Sequence, residues 1–382
     1  MLGLALEGGG AKGAFHIGAL EAFGKRGLSF GGVTGTSIGA LNGAMIAQGD
    51  FETLKKLWLS ASISKVSDLD DAEFEKMMTG GYDRALIKYL VKKAREIISA
   101  RGMKIDKVKK LVDTYIDEDR LRASATDYGL VTVSVSDGWK PMELFKEDIP
   151  EGMLKDYILA SAYYPLFNRP TIGGKRYIDG GMYNNCPVSP LIRKGYNEIY
   201  AVRTGSRMPM SKVIDRSVKV TYVCPSESLG STVDFRKTHV EYNIKLGYYD
   251  ALRVLDGLGG VRYYIEPVEV AEALAFTERL GDEVYSDIGE ILRVKGTKRE
   301  ILTRALAVAR EELGLGADTG VAKTLAAVLE EAATAHGVEK FKVYSFGEFV
   351  REIKARLSVE PEAKRDTRSY EIALAVLDHI DI

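Results

Sequence analysis

Residues 31–47 read GGVTGTSIGALNGAMIA, and the turn inside this stretch, Gly35-Thr36-Ser37-Ile38-Gly39, is a GxSxG sequence. The VTG run before the serine is strand-like, while Ala40, Leu41, Ala44, Met45 and Ile46 recur at helical spacing behind it. The predicted context is strand, sharp turn, helix. Small neighbours admit the strained backbone that such a turn demands, and the helix start aims unpaired amides and partial positive charge at a developing oxyanion. Ser37 is the candidate nucleophile. Its plain alternative is an N-cap whose glycines only allow close packing.

The same order occurs once more upstream. Leu2 to Leu6 is short and apolar, Glu7-Gly8-Gly9-Gly10-Ala11-Lys12-Gly13 follows, and Ala14, Ile17, Leu20 and Ala22 resume a helical period. Two strand-turn-helix units within the first 48 residues indicate an α/β layer built on a mainly parallel sheet. Consecutive glycines let backbone amides converge on an anion, either a diphosphate or a tetrahedral ester intermediate. A dinucleotide site fits poorly. GxGxxG is obtained only by choosing Gly8, Gly10 and Gly13, the region about 20 residues on supplies no strand ending in an acid, and no GxxxxGK[ST] is present. An oxyanion role accounts for both turns, which makes Gly8, Gly9, Gly10 and Gly13 candidate oxyanion residues. Lys12 is a candidate for an anionic head group, and Glu7 is expected to fix the loop through its amides.

Asp179 closes the strand-like RYID at Arg176 to Asp179 and is followed by Gly180 and Gly181. A carboxylate at a strand terminus, with glycines admitting another segment, can face a serine at the end of a neighbouring parallel strand. It would take the Ser37 proton and later deprotonate water. A Ser-His-Asp triad needs a histidine, and none of His16, His239, His336 and His379 follows a clear strand that would deliver it to the sheet edge. A Ser-Asp dyad asks less of this sequence.

In these three elements, taken in order, the chain resembles the patatin-like phospholipases: the glycine loop, GTSIG, and the DGG of Asp179 to Gly181. ASAYYPLF at Ala160 to Phe167 and DGGMYNNCPVSP at Asp179 to Pro190 add to the likeness, which covers roughly the first 225 to 255 residues. The resemblance implies a three-layer α/β fold, a Ser37–Asp179 dyad, oxyanion amides around Gly9 and Gly10, and hydrolysis of lipid acyl esters without metal or other cofactor. Lys12 stands where this family commonly carries arginine, which keeps the charge but loses a bidentate fork. Asn184 and Asn185 are expected to organise the loop after Asp179. Tyr163, Tyr164 and Phe167 are candidates to line an acyl pocket, or equally to fill the core.

The rest of the chain sets the boundaries. With 382 residues, 53 Lys and Arg against 54 Asp and Glu, and 46% hydrophobic residues, it reads as a folded protein with no global signal for nucleic acid. The expected organisation is a catalytic domain over residues 1–260, interrupted by a helical insertion or lid at 51–125, and a mainly helical carboxy-terminal module over 261–382. Cys186 and Cys224 form no framework, and the amino terminus reads as a first strand without a basic leader. With no apolar run of about 18 residues, the expectation is a cytoplasmic protein that touches membrane peripherally. Arg84 to Lys110 carries ten Lys or Arg and two acids; Lys88, Lys92, Lys93 and Arg95 oppose an apolar set that includes Leu86, Ile87, Leu90 and Val91. Lys88, Lys92 and Lys93 are candidate contacts to an anionic membrane, against the alternative of a helix that only covers the core. The expected function is a phospholipase A or lysophospholipase type of lipid acyl hydrolase. General carboxylesterase or neutral lipid lipase action, or a non-catalytic lipid-binding regulator, are the alternatives. Oligomeric state and protein partners stay open.

Overall fold

The computed structural model describes residues 1–80, 83–99, 105–163, 171–213, 215–359 and 365–380. The chain forms two compact units, Met1–Ala251 and Leu252–Ile382.

The first unit is built on an eight-stranded sheet. Its strands are β1 (Leu2–Leu6), β2 (Gly32–Thr36), β3 (Asp127–Ser134), β4 (Lys140–Phe145), β5 (Thr171–Ile172), β6 (Lys175–Asp179), β7 (Glu198–Val202) and β8 (Lys219–Val223). Five of them, in the order β3-β2-β1-β7-β8, run parallel, so the carboxyl ends of β1, β2 and β7 share one edge. Helices α1 (Ala14–Lys25) and α2 (Ile38–Ala47) follow β1 and β2. The β1 side chains alternate between the two faces, as the strand period of two requires. Ala5 joins Val188, Leu191 and Ile199 on one side, whereas Ala40 and Ala44 of α2 pack with Tyr128, Leu130 and Ile158 on the other. The result is the expected three-layer α/β fold around a mostly parallel sheet.

The antiparallel strands do something the sequence did not reveal. β4 pairs with Gly129–Ser134 of β3 and occupies one edge of that strand. β2 occupies the other edge as far as Val131, opposite Thr36. A strand has only two hydrogen-bonding edges, so β6, which pairs with Thr132–Ser134, takes up the edge that β2 has just left. β6 therefore runs down β3 toward the end of β2, and Asp179, opposite Thr132, stops one register step from Thr36, opposite Val131. The aspartate is delivered head-on by an antiparallel strand, not side by side on a parallel one as expected. Direction matters less than register here, because the long β3 serves as a common ruler for both.

Between α2 and β3 the described residues form six helices, Phe51–Leu59, Ile63–Val66, Asp71–Met78, Arg84–Ser99, Asp106–Tyr115 and Glu118–Ala123. The buried Lys146 ammonium secures the return of this segment to the sheet by donating to the carbonyls of Leu121 and Thr126 at 3.1 and 2.9 Å, and also to that of Ser124.

The second unit has its own core, including Val284, Ala309, Leu329, Phe349 and Val376, contributed by the helices Asp282–Leu292, Lys298–Glu312, Val321–Ala335, Phe346–Val359 and Arg368–Asp378. Sequence periodicity offers no strand here, yet Tyr264–Ile265 and Val343–Tyr344 form a two-stranded parallel pair. Two residues per strand are too few for alternation to register. Among the described residues no helix is long and apolar enough to cross a membrane.

Candidate active site

The elbow forms because glycine stands on both sides of Ser37. A Cβ on Gly35 would overlap the Gly39 carbonyl, and a Cβ on Gly39 would overlap the carbonyl oxygen of Leu6 at the end of β1. Only with both absent can α2 start so close above the sheet. Ser37 then takes φ 56° and ψ −125°, a left-handed conformation costly for an L side chain. Its carbonyl accepts from the N–H groups of Ala40 and Leu41 at 2.9 and 3.2 Å, which anchors it as the first acceptor of α2. Its own N–H donates to Ser161 Oγ at 2.9 Å. Ser161 is fully buried at the end of the helix Leu154–Ser161 and was not singled out from the sequence. Its place within ASAYYPLF was the available signal.

Asp179 is buried, and its Oδ1 accepts from the Gly181 N–H at 2.8 Å. The Ser37 hydroxyl lies near enough to the carboxylate to lower its pKa. Burial pushes the Asp179 pKa up to about 6, the Gly181 and Ser37 donors drawing it partly back. An aspartate in that range is a far better proton acceptor near neutrality than one at the ordinary 3.8.

The glycine loop adjoins the serine turn. A Cβ on Gly8 would overlap Asn185 Oδ1 and stand 3.2 Å from the Ser37 Cβ, so a larger residue there would displace the Asn185 side chain and crowd the serine. The Gly8 N–H donates to the Asn185 carbonyl at 3.0 Å, and the Asn185 Nδ2 donates back to the Gly8 carbonyl at 3.3 Å, which binds the loop to the segment following Asp179. Asn184 orders that segment too, through Thr36 Oγ1 donating to its carbonyl at 2.8 Å and its own Nδ2 donating to Glu143 at 2.7 Å. Gly9 and Gly10 carry the turn itself, Gly10 at φ 57°. Gly13 lies further on, within the short 3-10 turn Gly10–Gly13, where a Cβ would come 2.7 Å from Ile38 Cγ1 and 3.0 Å from the Trp58 ring. It is needed for packing against α2. Lys12 is half-buried on the same turn.

Glu7 behaves differently from expectation. Rather than bonding the loop amides, its buried carboxylate accepts from the N–H of Thr204 and pairs with Arg203 at 3.0 Å, both just past β7. β1 and β7 are adjacent, and Glu7 N–H still donates to Val202 at 3.1 Å, so its side chain reaches the neighbouring strand end before it can fold back.

The histidines lie elsewhere. His16 is buried between α1 and α2, its Nδ1 3.2 Å from Asn42 Nδ2, and burial lowers its pKa to about 3, leaving it neutral. His239 Nε2 lies 2.8 Å from the Leu229 carbonyl. His336 stacks on Tyr370, and His379 sits with Asp287. Tyr163 is buried, and its carbonyl accepts the Asp179 N–H at 3.0 Å, beside the carboxylate. Tyr164 and Phe167 lie outside the described residues. On the helix Arg84–Ser99, Lys88 and Lys92 are exposed, while Lys93 is half-buried and pairs with Glu96 at 2.9 Å. Leu86 is fully buried, but Ile87 and Val91 are 53% and 46% exposed, so part of the expected apolar face meets solvent.

A strained serine turn, a glycine turn and a buried carboxylate thus stand at one edge of a three-layer α/β sheet. Residues 4–192 match the family model for patatin-like phospholipase. It is 30% identical over 219 residues to the neuropathy target esterase sws of Drosophila melanogaster, covering 54% of this chain and 13% of that protein. It is 25% identical over 300 residues to the lysophospholipase NTE1 of Candida glabrata, covering 76% of this chain and 16% of that protein. The chain thus spans only a small part of the length of these relatives. Among solved structures, VipD from Legionella pneumophila aligns over 98% of this chain and 90% of its own, with a TM-score of 0.43 and 14% identity.

Proposed function

We propose that the protein is a serine hydrolase of lipid acyl esters, of phospholipase A or lysophospholipase type, working through Ser37 and Asp179. The observation that carries this reading is the Ser37 hydroxyl facing a buried carboxylate whose pKa stands near 6, beside a glycine loop at the same sheet edge. The family match and the names of the esterase and lysophospholipase relatives support it.

In the first step Asp179 takes the Ser37 proton as Oγ attacks the ester carbonyl. The carbonyl oxygen becomes an oxyanion, which the Gly9 and Gly10 amides stabilise at the positive end of the following turn. Collapse expels the alcohol, a lysolipid or glycerol derivative, with the proton from Asp179, and leaves an acyl-Ser37 ester. Water then gives its proton to Asp179 and attacks that ester, releasing the fatty acid and restoring Ser37. Asp179 needs no third residue to orient it, because the Gly181 N–H and the pairing of β6 with β3 already fix its position.

The helix Arg84–Ser99 supports an anionic membrane surface as the place where substrate is met. Arg84, Lys88, Lys92 and Arg95 are exposed on one side, next to the exposed Ile87 and Val91, so cations and apolar side chains are presented together.

The test is a panel of defined phospholipids, lysophospholipids, glycerides and short-chain esters, with Ser37→Ala and Asp179→Asn controls and identification of the released acids. Loss of fatty acid release in both variants, with folding retained, is the expected result. Undiminished hydrolysis by Ser37→Ala would remove the proposed nucleophile.

A further inference from the structure

The amides of the glycine loop can stabilise an oxyanion only if their peptide planes are held before the charge appears. A peptide unit is planar and trans, so the carbonyl of Gly8 and the N–H of Gly9 point in opposite directions, and whatever fixes the first fixes the second. The Gly8 carbonyl is held. Thr204 Oγ1 donates to it at 2.7 Å and Asn185 Nδ2 at 3.3 Å. Among the described residues, neither the Gly9 nor the Gly10 N–H is recorded with an acceptor, which leaves both available to a ligand.

Thr204 stands just past β7, at the same sheet edge as Ser37, and is almost fully buried. It also touches the next residue of the loop, since a Cβ on Gly9 would lie 2.8 Å from Thr204 Oγ1. A hydroxyl has one proton to give. Glu7 Oε2, 3.2 Å from Thr204 Oγ1, is already supplied by the Thr204 N–H, and Arg203 neutralises the same carboxylate. The hydroxyl proton is thereby left for the closer Gly8 carbonyl.

We infer that Thr204 is a positioning residue of the oxyanion site: its hydroxyl clamps the Gly8 carbonyl and so aims the Gly9 N–H, while Glu7 and Arg203 hold Thr204 in place. Asn185 makes the second, longer contact from the opposite segment. This inference rests on the proposed hydrolase activity.

The experiment compares full-length wild type with Thr204→Val, which keeps shape and removes the hydroxyl, and Thr204→Ser, which keeps the hydroxyl. Turnover of one lysophospholipid is measured together with inhibition by a trifluoromethyl ketone of matching chain length, whose adduct carries an oxyanion. Thr204→Val is expected to lower kcat about tenfold or more with KM within about threefold, and to weaken the ketone in parallel, because removing an oxyanion donor outright costs about 100-fold to 1,000-fold. Thr204→Ser is expected to stay within about threefold of wild type. If Thr204→Val does not fold, Thr204→Cys, with its weaker donor, replaces it and is expected to fall between the two. Unchanged kcat and ketone affinity in the hydroxyl-free variant, or an equal fall in Thr204→Ser, overturns the clamp. A wild-type protein that neither hydrolyses lipid esters nor is labelled at Ser37 by a fluorophosphonate overturns the hydrolase reading, and the clamp falls with it.

Discussion

The backbone N–H of Ser37 donates to Ser161 Oγ at 2.9 Å, tying the strained residue of the elbow to a helix end 124 positions later in the chain. The contact satisfies an N–H that the positive φ turns away from the β2 ladder. Losing it would leave a part-buried donor unpaired at the most strained point of the site.

Ser161→Ala should therefore destabilise the protein by about 1–3 kcal/mol, the usual cost of orphaning such a group. Urea unfolding measures the stability loss, and steady-state hydrolysis should show kcat falling more than KM rises, since the alcohol loses its fixed aim. A variant as stable and as active as wild type would mean the contact is incidental.

The pKa of Asp179, raised to about 6 by burial, makes a prediction about pH. The base works only when ionised, so kcat/KM should rise tenfold per pH unit below about 6 and level off above it. His16 cannot supply this limb, as its pKa is near 3. The stability sign is opposite. A carboxyl whose folded pKa exceeds its unfolded value favours folding while protonated, so the difference in unfolding free energy between wild type and Asp179→Asn should move against wild type as pH climbs from about 4 to about 6, by roughly 3 kcal/mol in all. A flat difference across that interval would show that the carboxyl is not buried as described.

Two glycines should respond in opposite ways to the same substitution. Gly39→Ala forces a Cβ into the Leu6 carbonyl, so α2 must lift from β1; a loss of about 1–3 kcal/mol and near-background turnover are expected. Gly24→Ala, exposed near the end of α1 with nothing within 4 Å of the new Cβ, should stabilise by about 0.5–1 kcal/mol and leave turnover alone. Melting temperatures of the two variants give the answer directly.

Charge reversal tests the basic helix. Lys88→Glu combined with Lys92→Glu should weaken binding to phosphatidylserine vesicles at least tenfold, at about 1 kcal/mol per cation near an anionic surface, while turnover of a monomeric, soluble ester is kept. Reversal of Lys93 should matter less, because it is half-buried and Glu96 engages it at 2.9 Å, closer than the 4.0 Å at which the same carboxylate approaches the exposed Lys92. Vesicle sedimentation at two ionic strengths is sufficient, and binding indifferent to both the reversals and salt would remove this surface from the proposal.

How far the chain could be read beforehand depends on where each partner lies. GTSIG, the glycine loop and the DGG segment are contiguous patterns that can be read as strings, even though several of their glycines answer to distant partners, Gly8 to Asn185 and Gly10 to Thr232. Ser37 and Asp179 were legible for that reason. Thr204 was not, because its partners Glu7 and Gly8 are 197 and 196 positions away, and neither RTG nor its surroundings carries a motif. The strand Lys140–Phe145 escaped notice because its charged and proline-bearing sequence lacks alternation, and with it went the edge logic that makes β6 approach end-on. Glu7 was misassigned since only the tertiary pairing of β1 with β7 reveals a nearer acceptor role.

The hairpin formed by β5 and β6 turns through Gly173 and Gly174, both exposed and both at positive φ. Since the aspartate is located by rungs counted along β3, the length of that tip is decoupled from catalysis. An engineer could splice a reporter peptide or a fluorophore handle between the two glycines and watch the chemistry from a few rungs away without retuning it.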